Sequence, residues 1–342
     1  VAFDLKSEIL SQMKKPMSQF KVSGSGVYLP RTRVSSDGLD ERLDRPEGWS
    51  EEKSKVRNRY FAEADETFAF MGARALDRAL EQARVKAGDL DLLISASASY
   101  EQLLPYQAAS IHREMGLGGS GIPCFDVGTT CLSFVSALDI ASMYLHSGRA
   151  RRIAIVSSEL PSSCMNWDDP ETAPLFGDGA AAVILETSNE ERGLIASRLE
   201  TYSDGYDFCR IRAGGCKFNF RKPPPTQEHY MFTMEGRRLF KMVANKMEPF
   251  IEKLMNDADM KFEDIDMVVP HQASPLGLYH MQQRLGIPEH KMVNILADHG
   301  NQVAASIPIA FNHALKTLKP GSTALLIGTS AGLSLGAALV RV

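Results

Sequence analysis

Cysteine is scarce in this chain and follows no pairing pattern. The five residues (Cys124, Cys131, Cys164, Cys209, Cys216) are an odd number without CxxC spacing, which argues against a disulfide framework or a zinc site and fits a reducing cytoplasm. Basic charge is not in excess either. Lys and Arg number 38 against 42 Asp and Glu, for a net charge of −4, so the electrostatic footprint of a nucleic-acid binder is missing. There is no HExxH, no P-loop and no paired metal-ligand spacing, so no metal is expected. Residues 1–20 form a leader of scattered charges, lacking the apolar core and small-residue cleavage site of a signal peptide. The longest uncharged run, Gly321 to Val340, is long enough to raise a membrane span. Its glycines, serines and threonines fit two buried strands around a glycine turn better, and no membrane partner is expected.

What remains is ordinary globular composition, 44% hydrophobic and 23% charged over 342 residues. That suffices for two cores or one large layered block. Gly24-Ser25-Gly26 hints at a dinucleotide fingerprint, but no third glycine follows and Pro30 stands where a helix should begin. From Glu66 onward the chain repeats itself. A helix (Glu66 to Arg84) precedes Asp89-Leu90-Asp91 and a strand from Leu92 to Ser97. Later a helix (Gly236 to Met255) precedes Asp264-Ile265-Asp266 and another apolar strand. Each half then runs through helix, strand, helix and two closing strands. The reading is an internal duplication of units of roughly 150 residues, alternating strands and helices in mainly parallel sheets. The expected organisation is α/β: a leader (1–20), a first half (21–187) and a second half (188–342), with duplicated βαβαβαββ units in a five-layered αβαβα block.

The duplication gives three residues a common address. Cys131 follows the strand Ile122 to Val127 at the opening of a long helix, where unpaired backbone N–H groups and the helix dipole stabilise a thiolate. Its pKa is therefore expected to be lowered. Asn301 opens the corresponding helix of the second half. His271, in Val269-Pro270-His271-Gln272-Ala273, sits at the carboxyl end of an apolar strand, where parallel sheets present functional groups. Pseudo-symmetry brings these ends to the seam between halves. A cysteine, a histidine and an asparagine together suggest acyl transfer through a thioester, with His and Asn donating to an enolate oxygen. The backbone N–H groups of Cys131 and Ala331 are the expected oxyanion hole, and the small residues of Ser330-Ala331-Gly332 permit close backbone approach. Gly328-Thr329-Ser330-Ala331-Gly332 also matches a G-x-S-x-G nucleophile elbow. No His, Asp or Glu follows it, and a strand rather than a helix comes next, so that reading fails. The long Gly/Pro-rich stretch Asp204 to His229, with Arg210, Arg212, Lys217, Arg221 and Lys222, reads as a cover or lid.

These motifs, with Phe176-Gly177-Asp178-Gly179-Ala180 and His299-Gly300-Asn301-Gln302-Val303-Ala304-Ala305-Ser306-Ile307-Pro308, resemble the β-ketoacyl-acyl carrier protein synthase III family of thiolase-like condensing enzymes. The resemblance spans Lys21 to Val342. It implies a thiolase-like fold, a homodimer, and Cys131, His271 and Asn301 as the catalytic triad. It also implies an acyl-CoA primer that acylates Cys131, then decarboxylative condensation with malonyl-acyl carrier protein or malonyl-CoA to a 3-oxoacyl thioester. No cofactor beyond CoA and phosphopantetheine thioesters is implied. By the same resemblance Trp49 and Lys53 fall at the CoA adenine site, Gly236 and Phe240 along the pantetheine tunnel, and Leu104 where a residue enters the partner's acyl pocket.

The chain departs from the family pattern around that core. The Ala-Ala-Cys-Ala-Gly-Phe turn is Thr129-Thr130-Cys131-Leu132-Ser133-Phe134, the adenine-site arginine is Lys53, and a second CoA arginine is missing near Asp169-Pro170-Glu171. Asn-Leu-Arg after His-Gln-Ala is Ser274-Pro275-Leu276, and a glycine-rich turn is Thr329-Ser330-Ala331-Gly332. Arg237, Arg238 and Lys241 on one helical face are placed to supply replacement charge. Leu104 leaves more room than an aromatic, so a primer larger than acetyl is expected. The alternatives are acyl transfer to a hydroxyl or amine, condensation without decarboxylation, and a catalytically silent partner subunit.

Overall fold

The structure is a computed structural model describing residues 18–342. Residues 1–17 of the expected leader lie outside the described residues, while residues 18–20 already belong to the first strand, Ser18–Tyr28. Nine strands are joined in the order Met267–Pro270, Thr323–Ser330, Ser334–Arg341, Gly193–Thr201, Ser18–Tyr28, Gly179–Thr187, Arg152–Glu159, Leu92–Ser95, Cys124–Asp126. Ser18–Tyr28 and Gly193–Thr201 meet at only two residue pairs, so two sheets touch at one corner.

The duplication is visible in the pairing. Leu92–Ser95 lies parallel to Arg152–Glu159, which is antiparallel to Gly179–Thr187. In the second half Met267–Pro270 lies parallel to Thr323–Ser330, itself antiparallel to Ser334–Arg341. Cys124–Asp126 flanks the first set, and a parallel bridge from Val268 to Met292 takes its place in the second. The two Asp-x-Asp turns match as well. The Asp91 carboxylate accepts from the Arg152 N–H at 2.9 Å, and that of Asp266 from the Thr323 N–H at 2.8 Å. The expectation of mainly parallel sheets is corrected. The last two strands of each half are antiparallel, because the connections between them, 160–178 and the tight turn 331–333, carry no α-helix to cross over the sheet.

Period-two side-chain alternation explains the layers. Ile153, Ile155 and Val183 face a central cluster with Phe134, Leu138, Ile307 and Phe311, while Ala154, Val156, Ala182 and Ile184 face Met71, Leu76 and Ile111 on the outside. In the second sheet Leu326, Ala338 and Val340 join the central cluster, and Leu325, Ile327 and Leu339 pack on Phe250, Ile251 and Leu254. Helices Ser133–His146 and Ser306–Leu315 thus fill the middle of a five-layered αβαβα block. The run Gly321 to Val340 is the hairpin Thr323–Ser330 and Ser334–Arg341, both strands buried. No helix among the described residues is long and apolar enough to cross a membrane.

Helix Phe68–Ala83 starts two residues later than expected because the Thr67 hydroxyl caps it, accepting from the Phe70 N–H at 3.2 Å. The single helix expected over Gly236 to Met255 is two, Gly236–Ala244 and Met247–Ala258, separated at Asn245-Lys246. Phe311 is fully buried in the central layer. Phe311→Ala is expected to destabilise the chain by about 3–5 kcal/mol, read as a lowered midpoint of chemical unfolding. A change near zero would place Phe311 outside the core.

Candidate active site

Cys131 lies in a short 3-10 turn, Thr130–Leu132, that leads into helix Ser133–His146. The second half repeats this arrangement with the turn Val303–Ala305 before helix Ser306–Leu315. Serine hydroxyls lock both starts: Ser133 Oγ accepts from the Thr129 N–H at 3.0 Å, and Ser306 Oγ from the Gln302 N–H at 2.9 Å. This register corrects the expected correspondence. Aligned on the two serines, the counterpart of Cys131 is Ala304, and Asn301 corresponds to Gly128. Thr130 and Val303 are likewise equivalent, and both hold a left-handed backbone at φ 49°. β-branched residues rarely adopt that conformation, and such strain concentrates at functional sites.

His271 continues the strand Met267–Pro270, its N–H donating to the Ile327 carbonyl at 2.8 Å. Ala96 makes the equivalent bond to Val156 in the first half, at 2.7 Å. Gly328 on the adjacent strand lets the imidazole sit close, since a Cβ there would lie 2.7 Å from His271 Cβ. Asn301 is placed by the Phe-Gly-Asp-Gly segment. Its N–H donates to the Leu175 carbonyl at 2.9 Å, and its own carbonyl accepts from the Gly177 N–H at 3.1 Å. A Cβ at Gly177 would meet the His299 carbonyl at 2.4 Å, so glycine permits this crossing. Asp178 is buried and accepts from the Ala62 and Ser162 N–H groups, while its carbonyl accepts from Gln302 Nε2 at 2.9 Å.

Cys131, His271 and Asn301 line one cavity of about 460 Å³, together with Thr130, Glu159, Phe176 and Ala331. The Asn301 side chain is half committed. Nδ2 donates to the Ala273 carbonyl at 3.2 Å and Oδ1 accepts from the Val303 N–H at 2.9 Å. The second amide hydrogen has no protein acceptor among the described residues. His271 Nδ1 is buried without a partner. Burial lowers the His271 pKa to about 4, so the ring is neutral at pH 7. An N–H buried without an acceptor costs about 1–3 kcal/mol, which favours the tautomer with its proton on Nε2.

Burial acts on Cys131 in the opposite sense to the expected thiolate. Part of the residue opens to the cavity, yet protein surrounds the sulfur, and desolvation with the neighbouring Glu159 charge pushes the thiol up to about 12. The backbone N–H groups of Cys131 and Ala331 pull the other way and are outweighed. The expectation of a lowered pKa is therefore corrected: the helix start does not offset burial of the thiol and a nearby carboxylate. The same two N–H groups converge on the sulfur, as an oxyanion hole at that point requires. A contact of 3.5 Å from Thr130 Oγ1 to the Ala331 carbonyl holds the hairpin turn against the nucleophile's turn.

Other expected site residues lie away from this cavity. Trp49 begins the helix Trp49–Ser54 with the Arg45 guanidinium 5.2 Å from its ring centre. Lys53 is exposed on that helix. Leu104 is 85% exposed. Gly236 begins helix Gly236–Ala244, where Arg237 is exposed and Arg238 pairs with Glu235 at 2.7 Å. Phe240 lines a smaller neighbouring cavity that reaches the far side of His271, and Leu239 faces the main one. From the stretch expected to act as a cover, Tyr206, Cys209, Arg210 and Ile211 form one cavity wall. Sequence reasoning missed Glu159. The available signal was a lone charge at the carboxyl end of the apolar strand Arg152–Glu159.

The family model of 3-oxoacyl-[acyl-carrier-protein] synthase III matches residues 125–204, and the model of that family's C-terminal part matches residues 255–342. The β-ketoacyl-[acyl-carrier-protein] synthase III of Granulibacter bethesdensis is 34% identical over 333 residues, covering 95% of this chain and all of the relative. The crystal structure of 3-oxoacyl-[acyl-carrier-protein] synthase III from Aquifex aeolicus superposes with a TM-score of 0.84 at 30% identity, over 94% of this chain and 100% of its own. A priming β-ketosynthase from the R1128 polyketide pathway gives 0.86 at 27% identity, over 96% and 97%. The fold is thus thiolase-like, with the duplicated units described above.

Gly328→Ala forces a shift at His271. A displacement of about 1 Å at a reacting group costs roughly 10²-fold in rate, whereas overpacking costs about 1–3 kcal/mol of stability. Turnover of a thioester substrate by the folded variant is expected to fall by about that factor, and wild-type turnover would contradict the tight packing.

Proposed function

The chain belongs to the 3-oxoacyl-[acyl-carrier-protein] synthase III family of condensing enzymes, and we propose that Cys131 carries the acyl group while His271 and Asn301 serve the condensation. The observation that carries this assignment is the meeting, in one buried cavity, of a thiol flanked by two backbone donors with a neutral imidazole and a half-free amide.

With Cys131 near 12 and His271 near 4, a resting thiolate–imidazolium pair is strongly disfavoured. The proton therefore leaves Cys131 only as the sulfur attacks the acyl-CoA carbonyl. The oxygen gathers charge against the N–H groups of Cys131 and Ala331. Collapse breaks the bond to CoA sulfur, which takes up the proton given up by Cys131 and leaves acyl-Cys131. A malonyl thioester then loses CO₂, and the electron pair moves onto the thioester oxygen. His271 Nε2–H and the second Asn301 amide hydrogen donate to that enolate. Its carbon attacks the acyl-Cys131 carbonyl, the C–S bond breaks, and the cysteine sulfur takes a proton from solvent. The product is a 3-oxoacyl thioester.

The extender is a malonyl group on carrier protein or on CoA, and the primer is larger than acetyl. Supporting a longer primer are a cavity of about 460 Å³ with Met165, Leu175, Phe232 and Met234 in its walls, within the usual range for small-molecule sites, and Leu104 in place of an aromatic. A homodimer accounts for the exposed apolar stretch Tyr100, Leu103, Leu104 and Tyr106, which are 49%, 76%, 85% and 46% exposed and gain from being covered.

Intact-mass analysis separates the half-reactions. Cys131→Ala should take no acyl group from any acyl-CoA. His271→Ala and Asn301→Ala should still acylate yet lose release of CO₂ from a malonyl thioester by roughly 10²-fold or more. Acylation of the Cys131→Ala protein at another residue would overturn the assignment. Across a ladder of acyl-CoAs, adducts longer than acetyl are expected, and labelling by acetyl alone would refute the larger primer.

A further inference from the structure

Glu159 is a fully buried carboxylate with no role in the chemistry above. It ends the strand Arg152–Glu159 and lines the same cavity as Cys131. Its oxygens accept from the Ala98 N–H and, at 2.7 Å, from Ser99 Oγ. A further backbone donor is the N–H of Ala304, the counterpart of Cys131 in the second half. The two equivalent helix starts therefore point N–H groups into one cavity. The first surrounds the reacting sulfur, and the second holds a carboxylate.

Among the described residues no cation balances that carboxylate. His271 is neutral, and the Arg210 guanidinium, at the cavity wall, is paired with Asp207. The other titratable groups facing Glu159 are Cys131, Cys164 and Tyr100, all of them neutral when protonated. Buried groups without a counter-ion accommodate one negative charge far more readily than two. We infer that Glu159 is a positioning residue that takes the first negative charge this cavity admits, so that Cys131 stays a thiol until its sulfur attacks the acyl-CoA carbonyl.

Burial pushes the Glu159 carboxyl up to about 8, still well below Cys131. Glu159 consequently ionises first as pH rises, and its charge then opposes loss of the cysteine proton. Burial first, and then the same charge, raises Cys164, a second thiol on the cavity wall, to about 11. Restraint on ionisation thus extends to thiols that have no oxyanion hole beside them.

This inference rests on Cys131 as the nucleophile, but its test needs no condensation. The rate of iodoacetamide alkylation at Cys131 is measured from pH 6 to 10.5 by intact mass and peptide mapping, with Cys131→Ala as the control. In the wild type the rate should climb through pH 10, and a plateau below pH 8.5 would overturn the inference without recourse to any variant. Glu159→Gln should react about tenfold faster at pH 9, the effect of one unit in thiol pKa, with its profile displaced to lower pH. Glu159→Asp, which keeps the charge, should resemble the wild type. A Glu159→Gln profile that is unchanged, or slower by one constant factor at every pH, would reduce Glu159 to a structural anchor. Failure of Cys131→Ala to abolish acylation would instead sink the nucleophile assignment.

Discussion

The withdrawal of polar groups from water at the seam between two halves governs this molecule. Each half presents a helix start and strand ends to one cavity, and apolar layers on both sides bury the groups placed there. Desolvation then sets every protonation state in it. The imidazole cannot hold a charge, the thiol cannot lose one readily, and the carboxylate titrates far above its usual range. Chemistry that creates and disperses negative charge on a carbonyl oxygen suits such a place, because fixed N–H groups are worth more there than in water.

The duplicated scaffold is symmetric in backbone and asymmetric in chemistry. Where one half carries a reacting side chain, the other carries a small residue: Cys131 faces Ala304 as its counterpart, His271 has Ala96, and Asn301 has Gly128. Both helix starts keep the serine lock and the strained residue ahead of it. The geometry is therefore built twice, and each half contributes a different part of one site.

Much of this was legible in the sequence because it is written in local pattern. The repeated Asp-x-Asp turns, the apolar strands and the glycines of Phe-Gly-Asp-Gly state where backbones must cross, and the order of Cys131, His271 and Asn301 follows from the repeat. What could not be read depends on surroundings rather than on neighbours in the chain. The thiol pKa was misjudged because the helix-start argument contains no term for the Glu159 charge or for burial, both of which come from residues distant in sequence. The register of Asn301 against Cys131 became clear only through the paired serine hydrogen bonds. Phe240 turns toward the smaller cavity while Leu239, one residue before it on the same helix, faces the larger. One step along a helix rotates a side chain by about 100°, which motif spacing alone does not resolve.

The central claim is that burial keeps the imidazole and the thiol uncharged at rest, with the histidine proton on Nε2. Nitrogen-15 NMR of the histidine-labelled protein, with His271 assigned by difference against His271→Ala, tests it most directly. The account predicts a neutral ring with its proton on Nε2 from pH 8 down to pH 5. An imidazolium signal that titrates near pH 6.5, or a proton on Nδ1, would contradict it.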